Sequence, residues 1–139
     1  MKRLKSGNIG IWIVILPIAI GSAYGIARYL TLRSEKQMSA HLKTASLEEL
    51  KTLSEKRDWD PETLYSYGMK LLDNGQNAEA VKALRRSCKL NPNSGTAFGA
   101  LGLALARSDR PSDAEVILKH ALELEPNSEF VNFTLGNLY

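Results

Sequence analysis

Residues 61–94 read PETLYSYGMKLLDNGQNAEAVKALRRSCKLNPNS, and residues 95–128 read GTAFGALGLALARSDRPSDAEVILKHALELEPNS. Laid over each other at a spacing of 34, they agree where chain geometry is most demanding. Gly68 falls on Gly102, and again on Gly136; Leu71 falls on Leu105, Ala80 on Ala114 and Leu84 on Leu118. The tail returns as well, Leu90-Asn91-Pro92-Asn93-Ser94 becoming Leu124-Glu125-Pro126-Asn127-Ser128. A unit of this length, with small residues where helices must approach and a proline near its end, predicts stacked helix-turn-helix repeats.

In-phase recurrence of Leu64/Phe98, Tyr67/Leu101, Ser87/Ala121 and Pro92/Pro126 makes the pattern specific, and the chain resembles the tetratricopeptide repeat family over about its last eighty residues. The resemblance implies an all-α solenoid: repeat one at 61–94, repeat two at 95–128, and at 129–139 the first helix of a third. Local signals agree. Asp60 is placed to cap a helix with Pro61 at its first position, and Gly75 breaks the chain after Asn74. A second helix is expected over 78–90 until Asn91-Pro92 ends it, then helices over 95–107 and 111–124 with Ser108-Asp109-Arg110 between them. Gly68, Gly102, Ala80 and Ala114 read as close-approach positions between paired helices, hence fold residues.

Upstream, no charge occurs between Lys5 and Arg28. As a helix, residues 6–27 would be about 33 Å long against a hydrocarbon core of about 30 Å. We expect a basic cytoplasmic tail at 1–8, a transmembrane helix at 9–30 and a polar stalk at 31–60. The competing reading is a secretory signal peptide, with Lys2, Arg3 and Lys5 as its basic region and Gly21-Ser22-Ala23 as a cleavage site. The apolar character continuing through Tyr24, Ile26, Tyr29 and Leu30 favours the anchor. Gly21 and Gly25 on one side, and Ala19 and Ala23 on the other, offer two small faces for helix packing in the membrane. In the stalk, Ser46-Leu47-Glu48-Glu49 fits a capping box, and Leu47, Leu50 and Leu53 form an apolar face. That helix, with Trp59, is expected to cover the open end of the first repeat.

Charge divides the chain: residues 1–43 carry a net +6 and residues 44–139 a net −3. The basic flanks of the span favour anionic lipid headgroups. The repeats have no basic stripe with interleaved aromatics, so no nucleic-acid partner is expected. Cys88, the single cysteine, reads as a small apolar residue between helices. His41 and His120 lie apart, with no metal-ligand spacing, phosphate loop or nucleophile elbow. The sequence therefore points to no catalytic residue, metal, cofactor or small-molecule substrate, and to other proteins and membrane lipid as partners.

In the resembled family, ligands lie in a concave groove lined by the first helix of each repeat. Carried over position by position, that groove would be lined by Tyr65, Met69 and Leu72 in the first repeat, by Leu103 and Arg107 in the second, and by Phe130, Phe133 and Asn137 in the third. Members that clamp a C-terminal carboxylate use Lys, Arg and Asn; this sequence has Tyr65, Met69, Ala100, Phe130 and Thr134 there, so that specificity is not expected. The apolar lining suits an apolar helix or extended segment. The last helix carries Phe130, Val131, Phe133, Leu135, Leu138 and Tyr139 around most of its circumference, more apolar surface than a cap should show. The expected function is a membrane-anchored scaffold or assembly factor holding a partner near a membrane complex, or else a constitutive accessory subunit of such a complex; the remote alternative is an enzyme or redox component, which no motif supports. The expected topology puts the N-terminus in the cytoplasm and the repeats in a periplasm or lumen, in a bacterial inner or thylakoid-type membrane. The alternative is a mitochondrial outer membrane with cytosolic repeats.

Overall fold

The computed structural model describes the backbone of residues 9–139 and the side chains of residues 24, 25 and 27–139. The described residues form seven α-helices and no strand: α1 (Ile9–Thr44), α2 (Leu47–Lys56), α3 (Pro61–Asp73), α4 (Asn77–Leu90), α5 (Gly95–Ala106), α6 (Pro111–Leu124) and α7 (Glu129–Gly136). This is the all-α class the repeat pattern implied. Two compact units divide at residue 41, the second being Leu42–Tyr139.

α1 does not stop near residue 30 but runs on to Thr44. Residues 32–43 contain no Gly or Pro and are mostly good helix formers, so nothing in that stretch ends the helix. Among the described residues no helix is long and apolar enough to cross a membrane. The basic tail at 1–8 lies outside the described residues. The side chains of the apolar run, with Ala19, Gly21 and Ala23, lie outside them too. At Gly25 an added Cβ would meet nothing within 4 Å.

In the second unit α2 starts with the expected capping box. The Glu49 N–H donates to Ser46 Oγ at 3.3 Å and the Ser46 N–H to Glu49 Oε2 at 2.9 Å, satisfying two of the orphan donors at the helix start. Leu50 is buried against α3, with Leu47 and Leu53 half-buried. Trp59 does not join this cover. It lies in the turn after α2, 64% exposed, with the Arg57 guanidinium 5.2 Å from its ring centroid. Asp60 occupies the N-cap of α3 but makes no side-chain bond to the backbone. Its carboxylate accepts from the Thr63 hydroxyl and pairs with Arg57 instead.

The helix pairs α3/α4 and α5/α6 are built alike. An added Cβ at Gly68 would lie 2.5 Å from Leu84 Cγ, and one at Gly102 would lie 2.5 Å from Leu118 Cγ. Ala80, Ala114, Leu84 and Leu118 are fully buried in these seams. The turns also match. Gly75 has φ 74°, and the Gln76 N–H returns to the Leu71 carbonyl at 2.9 Å. One repeat later Asp109 has φ 57°, and the Arg110 N–H returns to the Leu105 carbonyl at 3.1 Å. Both turns need a left-handed residue to close, which glycine adopts freely and aspartate tolerates.

Candidate protein-binding groove

α7 packs on both α5 and α6. Its seat is made by Gly99, where an added Cβ would fall 2.7 Å from Val131 Cγ2 and 3.3 Å from the Phe130 ring. The first repeat has the opposite size arrangement at the same register: Tyr65 stands in place of Gly99, and Ala97 in place of Val131. The end of α7 is held by the Tyr139 hydroxyl, which donates to Glu115 Oε1 at 2.6 Å while Lys119 Nζ lies 2.7 Å from the same oxygen. Together the Lys119 and Tyr139 bonds hold the Glu115 carboxyl below its ordinary range.

With Val131 seated, the rest of α7 divides by environment. Val131 and Thr134 are buried, Leu135 and Leu138 half-buried, and Phe130 and Phe133 are 38% and 70% exposed. Phe130, Phe133, Thr134, Asn137 and Leu138 line a cleft of about 450 Å³ with Leu103, Ala106 and Arg107 of α5 and its C-cap. Thr134 adds no free polar group, because its hydroxyl donates to the Phe130 carbonyl at 2.8 Å. Arg107 supplies a cation at the rim and steadies itself by donating from Nη1 to the Leu72 carbonyl at 3.3 Å. The cleft is therefore apolar within and positive at one edge.

Five of the eight proposed groove residues meet here: Leu103, Arg107, Phe130, Phe133 and Asn137. Leu72 offers only its backbone carbonyl. Its side chain is 2% exposed within the core, since the leucine rows of α3 must be covered by α4 and α5. Met69 is half-buried against the same core. Tyr65 lines a separate cleft of about 360 Å³ near the start of α3 with Glu62, Asn91 and Thr96. Burial, and then the Glu125 charge, raises its phenol pKa. Thr134 and Leu138, not among the eight groove positions carried over from the family, complete the apolar cleft because their orientation depends on how α7 seats on Gly99.

Glu125 is a further residue whose role sequence reasoning missed. Its carboxylate reaches back from the end of its repeat to accept from the Thr96 N–H at 2.9 Å, at the start of α5. It passes over Gly95, where an added Cβ would lie 2.6 Å from Glu125 Cγ. The signal was the one difference in the repeated tail, Glu125 for Asn91.

The groups with chemical potential elsewhere have structural partners. His120 packs edge-on against Phe98 with ring centroids 4.7 Å apart, and its Nδ1 lies 3.2 Å from Glu123. Cys88 is buried, which pushes its thiol up to about 11 and leaves it protonated at neutral pH. Among the described residues no group of three or more His, Cys, Asp or Glu is placed to hold a metal ion.

The chain is 27% identical over 135 aligned residues to the cellulose synthase operon protein C of Escherichia coli strain K12. The same figures hold for the putative cellulose synthase operon protein C of Escherichia coli O157:H7. The match takes in 92% of this chain but only 11% of each relative, so the chain spans about a tenth of their length. Residues 71–133, from the buried half of α3 to the exposed aromatic of α7, match the tetratricopeptide repeat family.

Proposed function

We propose that this chain is a membrane-anchored protein-interaction scaffold that captures an apolar segment of another protein in the α5/α7 cleft. Phe133 is the observation that carries it: a large aromatic, 70% exposed, at the wall of an apolar cleft on a well-packed helical seat. Aromatic side chains on a rigid support lose little entropy on binding and dominate interface energies. Tetratricopeptide repeats are in general interaction modules rather than catalysts, and the site has no group poised for chemistry. The anchor rests on the uncharged run between Lys5 and Arg28. The orientation we propose keeps the basic N-terminus in the cytoplasm and puts the repeats in the periplasm or lumen. A mitochondrial outer-membrane setting with cytosolic repeats is the alternative.

A second reading, a constitutive accessory subunit of a larger membrane complex, is favoured by the similarity to cellulose synthase operon protein C. The two are separated by dissolving membranes in mild detergent. Stoichiometric comigration of the chain with a large complex supports the subunit, and substoichiometric, exchangeable capture supports the scaffold. A chain that recovers no protein under either condition refutes both. Topology is read by a periplasm-dependent reporter fused after Tyr139, with protease added to spheroplasts; protection of the repeats would reverse the orientation.

A further inference from the structure

We propose that residues 24–36 of α1 form the collar where the helix leaves a bilayer, with Tyr29 at headgroup level, Tyr24 about 7.5 Å deeper, and Arg28, Arg33 and Lys36 pairing with anionic phospholipid. This rests on the anchor reading above and adds the depth of the boundary and the residues that meet the lipid there.

The first support is the distribution of exposed side chains. Tyr24, Tyr29, Leu30 and Leu32 are 70%, 63%, 55% and 53% exposed. At about 100° per residue they fall near 0°, 140°, 240° and 80°, so apolar surface faces outward all round the helix. The next five residues, Arg33-Ser34-Glu35-Lys36-Gln37, are polar and cover more than a full turn. A helix lying in the plane of a membrane, or along one protein partner, keeps separate apolar and polar faces along its length. Here the division runs across the axis instead, as it does on a helix that passes from one solvent into another.

Two further observations fit that boundary. From Ile9, where the apolar run of the sequence begins, the rise along α1 to Tyr29 is about 30 Å, the thickness of a hydrocarbon core. The collar holds three cations against the single anion Glu35, and Arg28 lies within one or two turns of the polar zone, near enough for its long stem to reach the headgroups.

The test uses the full chain in lipid nanodiscs of phosphatidylcholine with phosphatidylglycerol. Tyr24→Cys, Tyr29→Cys and Gln37→Cys are made singly and exposed to a charged maleimide; Cys88 is silent because it is buried and protonated. Gln37→Cys should label promptly, and Tyr24→Cys at least an order of magnitude more slowly. Spin-labelled phosphatidylglycerol should be immobilised by the wild type in preference to spin-labelled phosphatidylcholine. The triple variant Arg28→Gln, Arg33→Gln, Lys36→Gln should lose that preference while remaining in the membrane. Equal labelling at residues 24 and 37 in a chain that resists alkaline carbonate would overturn the boundary and leave the anchor standing. Equal retention of the two lipids by the wild type would overturn the anionic pairing. Release of the chain by carbonate would overturn the anchor reading and the collar together, and would leave the apolar ring to a protein partner.

Discussion

Replacing Gly102 with alanine adds one methyl group at the tightest point between α5 and α6. Its Cβ would sit 2.5 Å from both Cγ and Cδ2 of Leu118, where carbon atoms normally rest at about 3.5 to 4.0 Å. Leu118 is fully buried, so the overlap of about 1 Å must shift it off its rotamer or open the helix pair, at about 1 to 3 kcal/mol. Alanine returns about 1 kcal/mol of helix propensity, leaving a net loss of about 0 to 2 kcal/mol; Gly102→Leu, with three more carbons, should reach the upper part of the overpacking range or exceed it. The fragment 42–139, which is the compact second unit, is suited to thermal and urea unfolding followed by circular dichroism. For a domain of this size each kcal/mol lost lowers Tm by about 4 to 8 °C. Two companions separate the packing term from propensity. Gly136→Ala occupies the same register, but its Cβ meets nothing within 4 Å, so it should be neutral or slightly stabilising. Gly102→Ala combined with Leu118→Ala should be less harmful than the sum of the two, because the new methyl enters the space the leucine leaves. An unchanged or raised Tm for both Gly102 variants would show that the seam is not where stability is set, and the reasoning would fail.

Phe130→Ser with Phe133→Ser should abolish partner capture from detergent extract, each aromatic contributing about 2 kcal/mol or more to binding, while helicity persists because Val131 still seats α7. A helical double variant that recovers the same partners would exclude this cleft. Asp109→Gly should stabilise the second unit by about 0.5 to 1 kcal/mol by relieving a left-handed residue, and Gly75→Ala should destabilise it by about 1 to 2 kcal/mol, read in the same unfolding assay. Cys88 has its folded pKa raised from 9.0 to about 11, so the stability it contributes is fully present below pH 9 and lost as pH rises towards 11. Cys88→Ala should remove that part of the alkaline slope in urea titrations, and an identical slope in the variant would contradict the assignment.

Much of the repeat architecture was legible because it repeats. The coincidence of Gly68 with Gly102, and of Leu84 with Leu118, encodes one contact twice, and each pair lies 2.5 Å apart once a Cβ is added. The capping box at Ser46 and Glu49 was readable for a different reason: it is closed within four residues and needs no tertiary partner. Trp59 was not readable. An aromatic beside an apolar helix suggests cover, yet its direction is set by the turn between α2 and α3, which sends it to solvent over Arg57. Leu72 failed for the complementary reason: a family position that faces ligand elsewhere is occupied here by a core leucine.

By itself, then, the sequence determined whatever depends on spacing along the chain: the helix pairs, their close-approach glycines, the capping box and the all-α class. Periodicity reports local geometry, and local geometry is shared by every copy of the unit. Tertiary structure alone decided how the copies differ. Asp109 serves in the left-handed position that Gly75 fills, Glu125 crosses to the start of α5, and Gly99 gives up its side chain so that Val131 can seat α7 and turn Phe133 outward. The last two are contacts between residues about one repeat apart, where volume and donors must balance across an interface, and the spacing of residues along one helix does not specify that balance.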